Sequence, residues 1–448
     1  FVPVLSEYRS TRTKDEVKHL VNNVFGALSL VLLLVTFLGV MGAPLLIRLF
    51  APGFNIEDSR FPLACHLLQL TFPYIFFISL TAFAAGVQNA YGKFAIPAFT
   101  PVLLNICLIV AAYCLSDYFA EPVVALAWGV LVAGIAQLLF QAPFLAKLAL
   151  FPNPQVSWHD PGVRRVLTLM GPAILGASVM QVNLLVDTIF ASFLPVGSLT
   201  WLYYSDRLLE FPIGMFGVAL ATVVLPHLSQ EYAKKSQTGF SASVDWALRW
   251  ILLIGVPSTI GLVMMAGPLL ATLFQYGQFT SHDVMMAARS LIALSLGLVC
   301  FLAVKVLVSA FYARQNTKLP VKVAIFAMLL NVVLNAVFIG PLAHAGLALA
   351  SSLSSVCNVL LLLWVLLREK IFVPMPGWAG FSIRIFCANV TMALVLWWFT
   401  PDLAQWLEWR AFERAATLFS LIGGAVVAYF GGLWITGLRY AHMRLESV

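Results

Sequence analysis

Charged side chains are scarce in this sequence. Only 10% of its 448 residues are Asp, Glu, Lys or Arg, whereas 61% are hydrophobic. Soluble domains contain about 25% charged residues and roughly 45–50% apolar ones. The deficit excludes a water-soluble globule and predicts a polytopic membrane protein, in which the number of membrane-spanning helices replaces length as the guide to domain size.

Cysteine clusters and catalytic motifs are also lacking. None of the six cysteines belongs to a CxxC pair, and all lie in or beside apolar runs, which excludes a disulfide scaffold or a zinc site. The stretch from Gly86 to Lys93 resembles a phosphate-binding loop, but Phe94 follows where Ser or Thr is required. The sequence therefore predicts a protein that is neither an enzyme nor a carrier of an organic cofactor.

The sequence does contain a series of long apolar stretches. Crossing about 30 Å of hydrocarbon takes roughly 20 helical residues. Turn-forming residues separate the stretches, as at Pro152-Asn153-Pro154. An all-α fold of about twelve transmembrane helices is predicted, at 24–50, 62–90, 94–115, 122–146, 166–194, 198–227, 246–275, 284–312, 320–340, 344–367, 380–400 and 413–438.

Lys and Arg gather in alternate connections between these stretches, which explains the net charge of +7 without a nucleic-acid partner. Cytoplasmic loops are enriched in basic residues, so both termini of the chain are predicted to be cytoplasmic. Arg439 and Arg444 follow the last stretch on that side. The opposite side holds only Arg48, Arg60, Arg410 and Arg414.

A weak internal repeat suggests two pseudo-symmetric lobes. The segments after Gln88 and after Tyr312 share a basic loop, a proline and a Leu-Leu-Asn triplet, and repeated lobes are common in transporters. Only four helices precede the second lobe, and the chain starts at Phe1 without Met, so two helices are expected to be missing from the front. The predicted parts are the remainder of a first lobe at 1–150, a second lobe of six helices at 151–370 and a C-terminal helix pair at 371–448.

The densest charged group within an apolar stretch is Asp206, Arg207 and Glu210. Arg207 lies about ten residues beyond the turn at Gly197, which is about 15 Å along a helix and close to mid-membrane. An ionised group there costs about 2.5–3.5 kcal/mol to insert, so it needs a partner, a wet cavity or a function. Two interpretations remain open: an internal ion pair that fixes helix packing, or a guanidinium that faces an anionic substrate and is oriented by the acids.

A second polar group follows from depth along the helices. Asp187, Asn331, Asn335 and Ser351 all lie about 12 Å from the predicted outer loops, and the two asparagines share a helix face. Their oxygens are the ligands that a hard cation such as sodium needs, and the aspartate could equally carry a proton. Interhelical hydrogen bonding without a ligand is the alternative.

Three other features of the apolar stretches are weaker indications of function. Lys305 is predicted either to line a cavity with the substrate site or to neutralise an acid. Gly171-Pro172 and Phe211-Pro212 are consistent with hinges or broken helices, and the alternative is an uninterrupted helix, since proline is common in membrane helices.

Four segments resemble a known family. They are Gly171 to Gly176 (GPAILG), Trp201 to Leu225 (WLYYSDRLLEFPIGMFGVALATVVL), Phe274 to Phe279 (FQYGQF) and Phe311 to Val323 (FYARQNTKLPVKV). The chain resembles, over essentially its whole length, the MurJ/MviN lipid II flippases of the multidrug/oligosaccharidyl-lipid/polysaccharide exporter superfamily. Members of this family have fourteen helices, which implies that the first pair is absent here.

The resemblance implies flipping of lipid II, the lipid-linked precursor of peptidoglycan, across a bacterial inner membrane by alternating access. It implies that Arg207 is a required cavity arginine with Asp206 and Glu210 beside it, and that sodium binds near Asp187, Asn331 and Ser351 in some members. Lipid II and membrane lipids are the expected partners of a monomer. The alternatives are a cation-coupled exporter of drugs or of other lipid-linked oligosaccharides, or a membrane scaffold that transports nothing.

Overall fold

The computed structural model describes residues 1–54 and 60–438, so Arg439 and Arg444 lie outside the described part. The described residues form helices and no strand, as predicted. The first eight α-helices are α1 Val2–Thr11, α2 Lys14–Met41, α3 Ala43–Phe50, α4 Arg60–Thr71, α5 Tyr74–Ala90, α6 Ala95–Cys114, α7 Val123–Lys147 and α8 Pro161–Ser192. The remainder are α9 Ser198–Pro212, α10 Val218–Ala233, α11 Gln237–Met264, α12 Ala266–Phe274, α13 Ser281–Ser295, α14 Leu298–Ala313, α15 Lys318–Arg368, α16 Trp378–Phe399, α17 Leu403–Glu408 and α18 Ala411–Ile435.

Every predicted apolar stretch coincides with helical structure. Within the described ranges, nine helical stretches are long and apolar enough to cross a membrane, and α13 with α14, bent by 40°, makes a tenth. The 51-residue helix α15 contains a non-helical residue, Ala343 (φ 50°, ψ −129°), where the sequence predicts a turn between two spans. The 32-residue helix α8 is also long enough to cross. The fold is therefore that of a multi-pass helical membrane protein.

The two possible helix breaks have different outcomes. Helix α9 ends at Pro212 and a π-helical turn, Ile213–Gly217, joins it to α10, so the regular α-helix is interrupted at Phe211-Pro212 while the helical span Ser198–Ala233 stays continuous. The interpretation of Gly171-Pro172 as a break is wrong, because α8 runs through both residues without interruption. Proline lacks a backbone donor but is tolerated in membrane helices when neighbouring groups satisfy the freed carbonyl.

The chain divides into two compact units, one from Phe1 to Leu185 and one from Val186 onwards. In the first unit, α2 buries Val17, Leu20 and Val24 at helical spacing against Phe83 and Val87 of α5. The three-part division predicted at 1–150, 151–370 and 371–448 stays a prediction.

A chain of buried polar side chains also joins α5, α6 and α7 in the first unit. The amides of Gln88 and Gln141 and the hydroxyl of Thr100 are linked by hydrogen bonds of 2.9 and 3.1 Å, and Gln137 connects the Thr100 carbonyl to the Tyr74 hydroxyl. We call these five residues the amide ladder. Interhelical hydrogen bonds of this kind hold membrane helices together where burial against lipid provides little driving force.

The second unit contains a larger core that includes the C-terminal helices. Trp406 of α17 is fully buried and donates to the Thr272 hydroxyl of α12 at 3.1 Å. The Tyr429 hydroxyl of α18 donates to the Leu253 carbonyl of α11 at 2.6 Å. At the start of α16, the indole of Trp378 donates to the buried carboxylate of Asp245 at 2.6 Å. Hydrogen bonds therefore join the C-terminal helices α16, α17 and α18 to helices α11 and α12.

Candidate functional site

Helix α9 positions the charged group because its opposite face is held against α13. Trp201, Ser205 and Leu209 are buried at i, i+4 spacing. The Trp201 indole donates to Asp283 at 2.7 Å, and the Ser205 hydroxyl donates to the Ala287 carbonyl at 2.8 Å. Gly197 precedes the helix with φ 99°, and a Cβ there would lie 2.6 Å from the Trp201 ring, so the turn requires glycine.

The other face of α9 presents the three charges together. An Arg207 guanidinium nitrogen lies 2.7 Å from a carboxylate oxygen of Glu210, and its second terminal nitrogen lies 3.8 Å from Asp206. All three side chains are about half exposed, at 49%, 51% and 45% respectively. We call these residues the Arg207 cluster. The guanidinium is paired but is not enclosed by the packed core of the second unit.

Aromatic rings flank the guanidinium on the same exposed face. The Arg207 guanidinium carbon lies 5.0 Å from the ring centroid of Tyr203, within cation–π range. Tyr203 and Phe211, one turn before and one turn after, are 56% and 66% exposed. Sequence spacing places Tyr203 one turn before Arg207 but predicts no role for it. Whether its ring lies over the guanidinium depends on the rotamers of both side chains.

Lys305 packs against the π-helical turn that follows α9. Its side chain is half-buried on α14 and its stem packs on the π-helical turn, where a Cβ at Gly217 would lie 3.0 Å from the Lys305 Cδ. No ion pair joins Lys305 to an acid within the described residues. The expectation that Lys305 neutralises an acid stays a prediction, and Asp206 and Glu210 both pair with Arg207. The cavity-lining role of Lys305 also stays a prediction.

The second predicted group forms a closed hydrogen-bonded ring. The Asn335 amide donates to Asp187 at 2.7 Å and to the Asn331 oxygen at 3.1 Å. The Asn331 amide donates to the Ser351 hydroxyl at 3.2 Å, and that hydroxyl donates to Asp187. Depth along the helices therefore places these four residues together correctly, and we call them the Asp187 ring.

The chemistry of this ring fits a hard monovalent cation. Asn331 and Asn335 are 1% and 0% exposed, whereas Asp187 and Ser351 are half-buried, so the ring is only partly screened from solvent. Each of the four side chains carries an oxygen, and Asp187 supplies a single negative charge that a monovalent cation would neutralise. No group of three or more His, Cys, Asp or Glu side chains with metal-ligand geometry occurs in the described part of the chain.

The amide ladder has no counterpart among the sequence predictions. Gln137 and Gln141 stand at i, i+4 in an apolar helix, which is the available signal. Their partners, however, lie on α5 and α6. Sequence spacing describes one helix face and does not reveal which neighbouring helix covers it.

Comparison with known proteins supplies the family. A family model described as "Lipid II flippase MurJ" matches residues 1–416. The "Probable lipid II flippase MurJ" of Vibrio cholerae is 41% identical over 454 residues, covering 100% of this chain and 86% of the relative. The "Lipid II flippase MurJ" of Burkholderia cenocepacia is 39% identical over 453 residues, covering 100% of this chain and 88% of the relative.

Solved structures agree on the fold. A structure titled "Lipid II flippase MurJ, inward closed conformation" matches with TM-score 0.79 and 26% identity, covering 97% of this chain and 89% of that one. An inward-facing multidrug resistance MATE transporter of the MOP superfamily matches with TM-score 0.70, 16% identity and coverage of 83% and 84%, which shows shared fold alone. From the family model and these relatives, the chain belongs to the MurJ family.

Proposed function

We propose that this chain is a lipid II flippase that moves the polyprenyl-diphosphate-linked peptidoglycan precursor from the inner to the outer leaflet by alternating access. The observation that carries the proposal is the family match over residues 1–416 together with an accessible guanidinium on a membrane-spanning helix. The reaction is transport, with no covalent step. The alternatives, a drug exporter or an inert scaffold, have less support because proteins named for drug transport share only the fold with this chain.

The Arg207 cluster is the proposed contact for the diphosphate. A guanidinium stays charged at all physiological pH values and its planar fork can donate two parallel hydrogen bonds to phosphate oxygens. The side chain is half exposed on a rigid helix, so it can meet a substrate without refolding. We assign Asp206 and Glu210 to the same site because both pair with Arg207.

The lipid tail requires an apolar surface, and the C-terminal pair provides one in the second unit. A groove between α11 and α16 is lined mainly by aliphatic and aromatic side chains, including Leu252, Val256, Ile260, Phe386 and Val390. Because the surrounding lipid is as apolar as this groove, the tail would be held there by van der Waals packing and not by transfer out of water.

Sodium coupling is proposed at the Asp187 ring. Asp187, Asn331, Asn335 and Ser351 would hold the ion, which would supply a positive charge to balance the carboxylate. The protein's own contribution is to keep these four side chains in one group through their mutual hydrogen bonds. A proton on Asp187 is the competing coupling ion.

The proposed location is a bacterial inner membrane, with both ends of this chain on the cytoplasmic side. The distribution of Lys and Arg supports this orientation. A cysteine introduced at an exposed residue of α1, such as Ser6, should react with a membrane-impermeant maleimide only after the cells are opened.

The function is tested by expressing the chain in a bacterium from which its own lipid II flippase can be depleted. The chain should restore growth and prevent lipid II from accumulating in the inner leaflet. Accumulation that continues while the protein is present in the membrane would contradict a flippase. Resistance to amphipathic drugs in place of growth rescue would indicate an exporter.

A further inference from the structure

The Arg207 cluster carries more negative than positive charge, which conflicts with direct addition of a diphosphate. Two carboxylates share one guanidinium, and Lys305 makes no ion pair with either of them in the part of the chain that the structure describes. A diphosphate that joined an unchanged cluster would face two like charges within a few ångströms, and like charges at this range repel even where solvent partly screens them. One carboxylate therefore has to leave the guanidinium when an anion arrives.

The geometry distinguishes the two carboxylates. Glu210 lies at hydrogen-bonding distance, 2.7 Å from an Arg207 nitrogen, whereas Asp206 lies at 3.8 Å, too far for a hydrogen bond. Glu210 thus occupies an edge of the guanidinium fork that a phosphate would use. Its side chain is 51% exposed, so it can rotate away without leaving a cavity behind.

Contacts elsewhere in the site hold helix α9 in place during such an exchange. The Tyr203 ring centroid lies 5.0 Å from the guanidinium carbon, a cation–π contact that does not involve the carboxylates. The helix itself is held to α13 by the Trp201 and Ser205 hydrogen bonds on its opposite side. Exchange of partners at Arg207 is therefore confined to side chains.

We propose that Glu210 is an exchangeable counter-ion: its carboxylate neutralises Arg207 between transport cycles and the diphosphate of lipid II displaces it on binding. The inference rests on the proposed function. It assigns Glu210 a competing role, in contrast to an acid that orients Arg207 toward the substrate. This competition favours release of the substrate at the outer leaflet, because Glu210 pairs with Arg207 again as the diphosphate dissociates.

The test measures binding of lipid II to the purified full chain in detergent by microscale thermophoresis, with dissociation rates from competition. Glu210→Gln should bind lipid II about two- to five-fold more tightly than the parent and release it correspondingly more slowly, because an exposed ion pair no longer competes. Asp206→Asn is the matched control: it removes the same charge without freeing a hydrogen-bonding edge, so its tightening should be at most half as large.

Two binding results would contradict the exchange of Glu210 for the diphosphate. Weaker or unchanged binding by Glu210→Gln, or equal tightening by Asp206→Asn, overturns the exchange. Arg207→Ala, measured in parallel, separates this failure from that of the proposed function. If Arg207→Ala loses binding while Glu210→Gln stays at the parent value, only the exchange is overturned; if Arg207→Ala binds normally, the diphosphate contact at Arg207 fails and the exchange fails with it.

Discussion

The amide ladder of the first unit and the Asp187 ring of the second are both buried polar networks between helices, but they differ in charge. The ladder contains three amides and two hydroxyls and no ionisable acid or base at physiological pH. The ring has the same kinds of neutral group around one carboxylate. A neutral network is complete once its donors meet acceptors, whereas a carboxylate within a membrane keeps an unfavourable charge that a ligand can relieve.

The Arg207 cluster extends this comparison to an accessible site. The ladder glutamines are 1% exposed, whereas Arg207 is 49% exposed. Burial without charge is the arrangement expected of helix packing, and charge with access is the arrangement expected of substrate contact. Substitutions in the three groups should therefore separate transport from stability.

The largest effect is expected at Arg207. Arg207→Ala and Arg207→Lys should both reduce lipid II transport, by roughly ten- to a hundred-fold for Ala, because hydrogen bonds to a charged partner are worth about 1.5–3 kcal/mol. Lysine keeps the charge but loses the planar fork. The measurement is growth rescue and lipid II accumulation in depleted cells, at matched protein levels. Full activity of the Ala variant would contradict the substrate contact, and tolerance of neutral residues throughout 203–210 would indicate a scaffold.

A smaller and conditional effect is expected at the Asp187 ring. Asp187→Ala should weaken sodium binding, and Asp187→Asn should make transport insensitive to sodium, because the amide preserves the shape of the ring but removes its charge. Transport in vesicles would be compared in sodium and in choline buffers over a range of pH. Sodium dependence that is unchanged in both variants, or absent from the parent, would remove the ion from this site; a pH dependence lost in Asp187→Asn would indicate a proton.

The ladder should respond in stability and not in transport. Gln141→Leu leaves the Gln88 amide and the Thr100 hydroxyl without their partner, which should cost about 1–3 kcal/mol of unfolding free energy. Denaturation in detergent would measure this loss, and lipid II transport per folded molecule should remain within about two-fold of the parent. Gln69→Leu, on an exposed part of α4, is the control with little expected loss. A transport defect as severe as that of Arg207→Ala would contradict a purely structural role for the amide ladder.

The smallest effect is expected at an ion pair outside the membrane-spanning segments. Arg165 donates to Glu7 at 2.8 Å, and this hydrogen bond lowers the pKa of Glu7 below its usual value. A carboxyl with a lowered pKa in the folded state adds stability above its unfolded pKa of about 4.3, and the contribution disappears as pH falls through the folded value.

Both side chains of this pair are about half exposed, so solvent and salt screen it. Glu7→Gln should lower the thermal midpoint slightly at pH 7, and the difference from the parent should vanish in acid or at high salt. Paired melting curves at two pH values check this. A difference that grows on acidification would mean that the sign of the linkage is wrong.

Several features follow from local sequence alone. Hydropathy averaged over about 20 residues predicts the spans, because a backbone in hydrocarbon must satisfy its own hydrogen bonds, and an apolar run of this length does so as a helix. The pairing of Arg207 with Glu210 follows from i, i+3 spacing on one helix. Counting residues from the outer loops also brings Asp187 to the same height as Asn335.

Other features could not be predicted because they depend on how helices rotate and pack. The continuity of α8 through Gly171-Pro172 is one, since the same dipeptide is compatible with a hinge or an unbroken helix. The surroundings of Lys305 are another. Lys305 lies deep in a predicted span, as Asp206 and Glu210 do, yet its stem packs on Gly217 while the two acids pair with Arg207.

By itself, the sequence determined that this chain is a helical membrane protein with charges at a few depths, since composition and periodicity act within single helices. Only the tertiary structure decided which charges are accessible. It closed the Asp187 ring and matched the amide ladder across three helices, because these contacts depend on the rotation of one helix against another, and that rotation is set by packing over the whole unit. It also decided the rotamers that put the Tyr203 ring over Arg207 on the same helix.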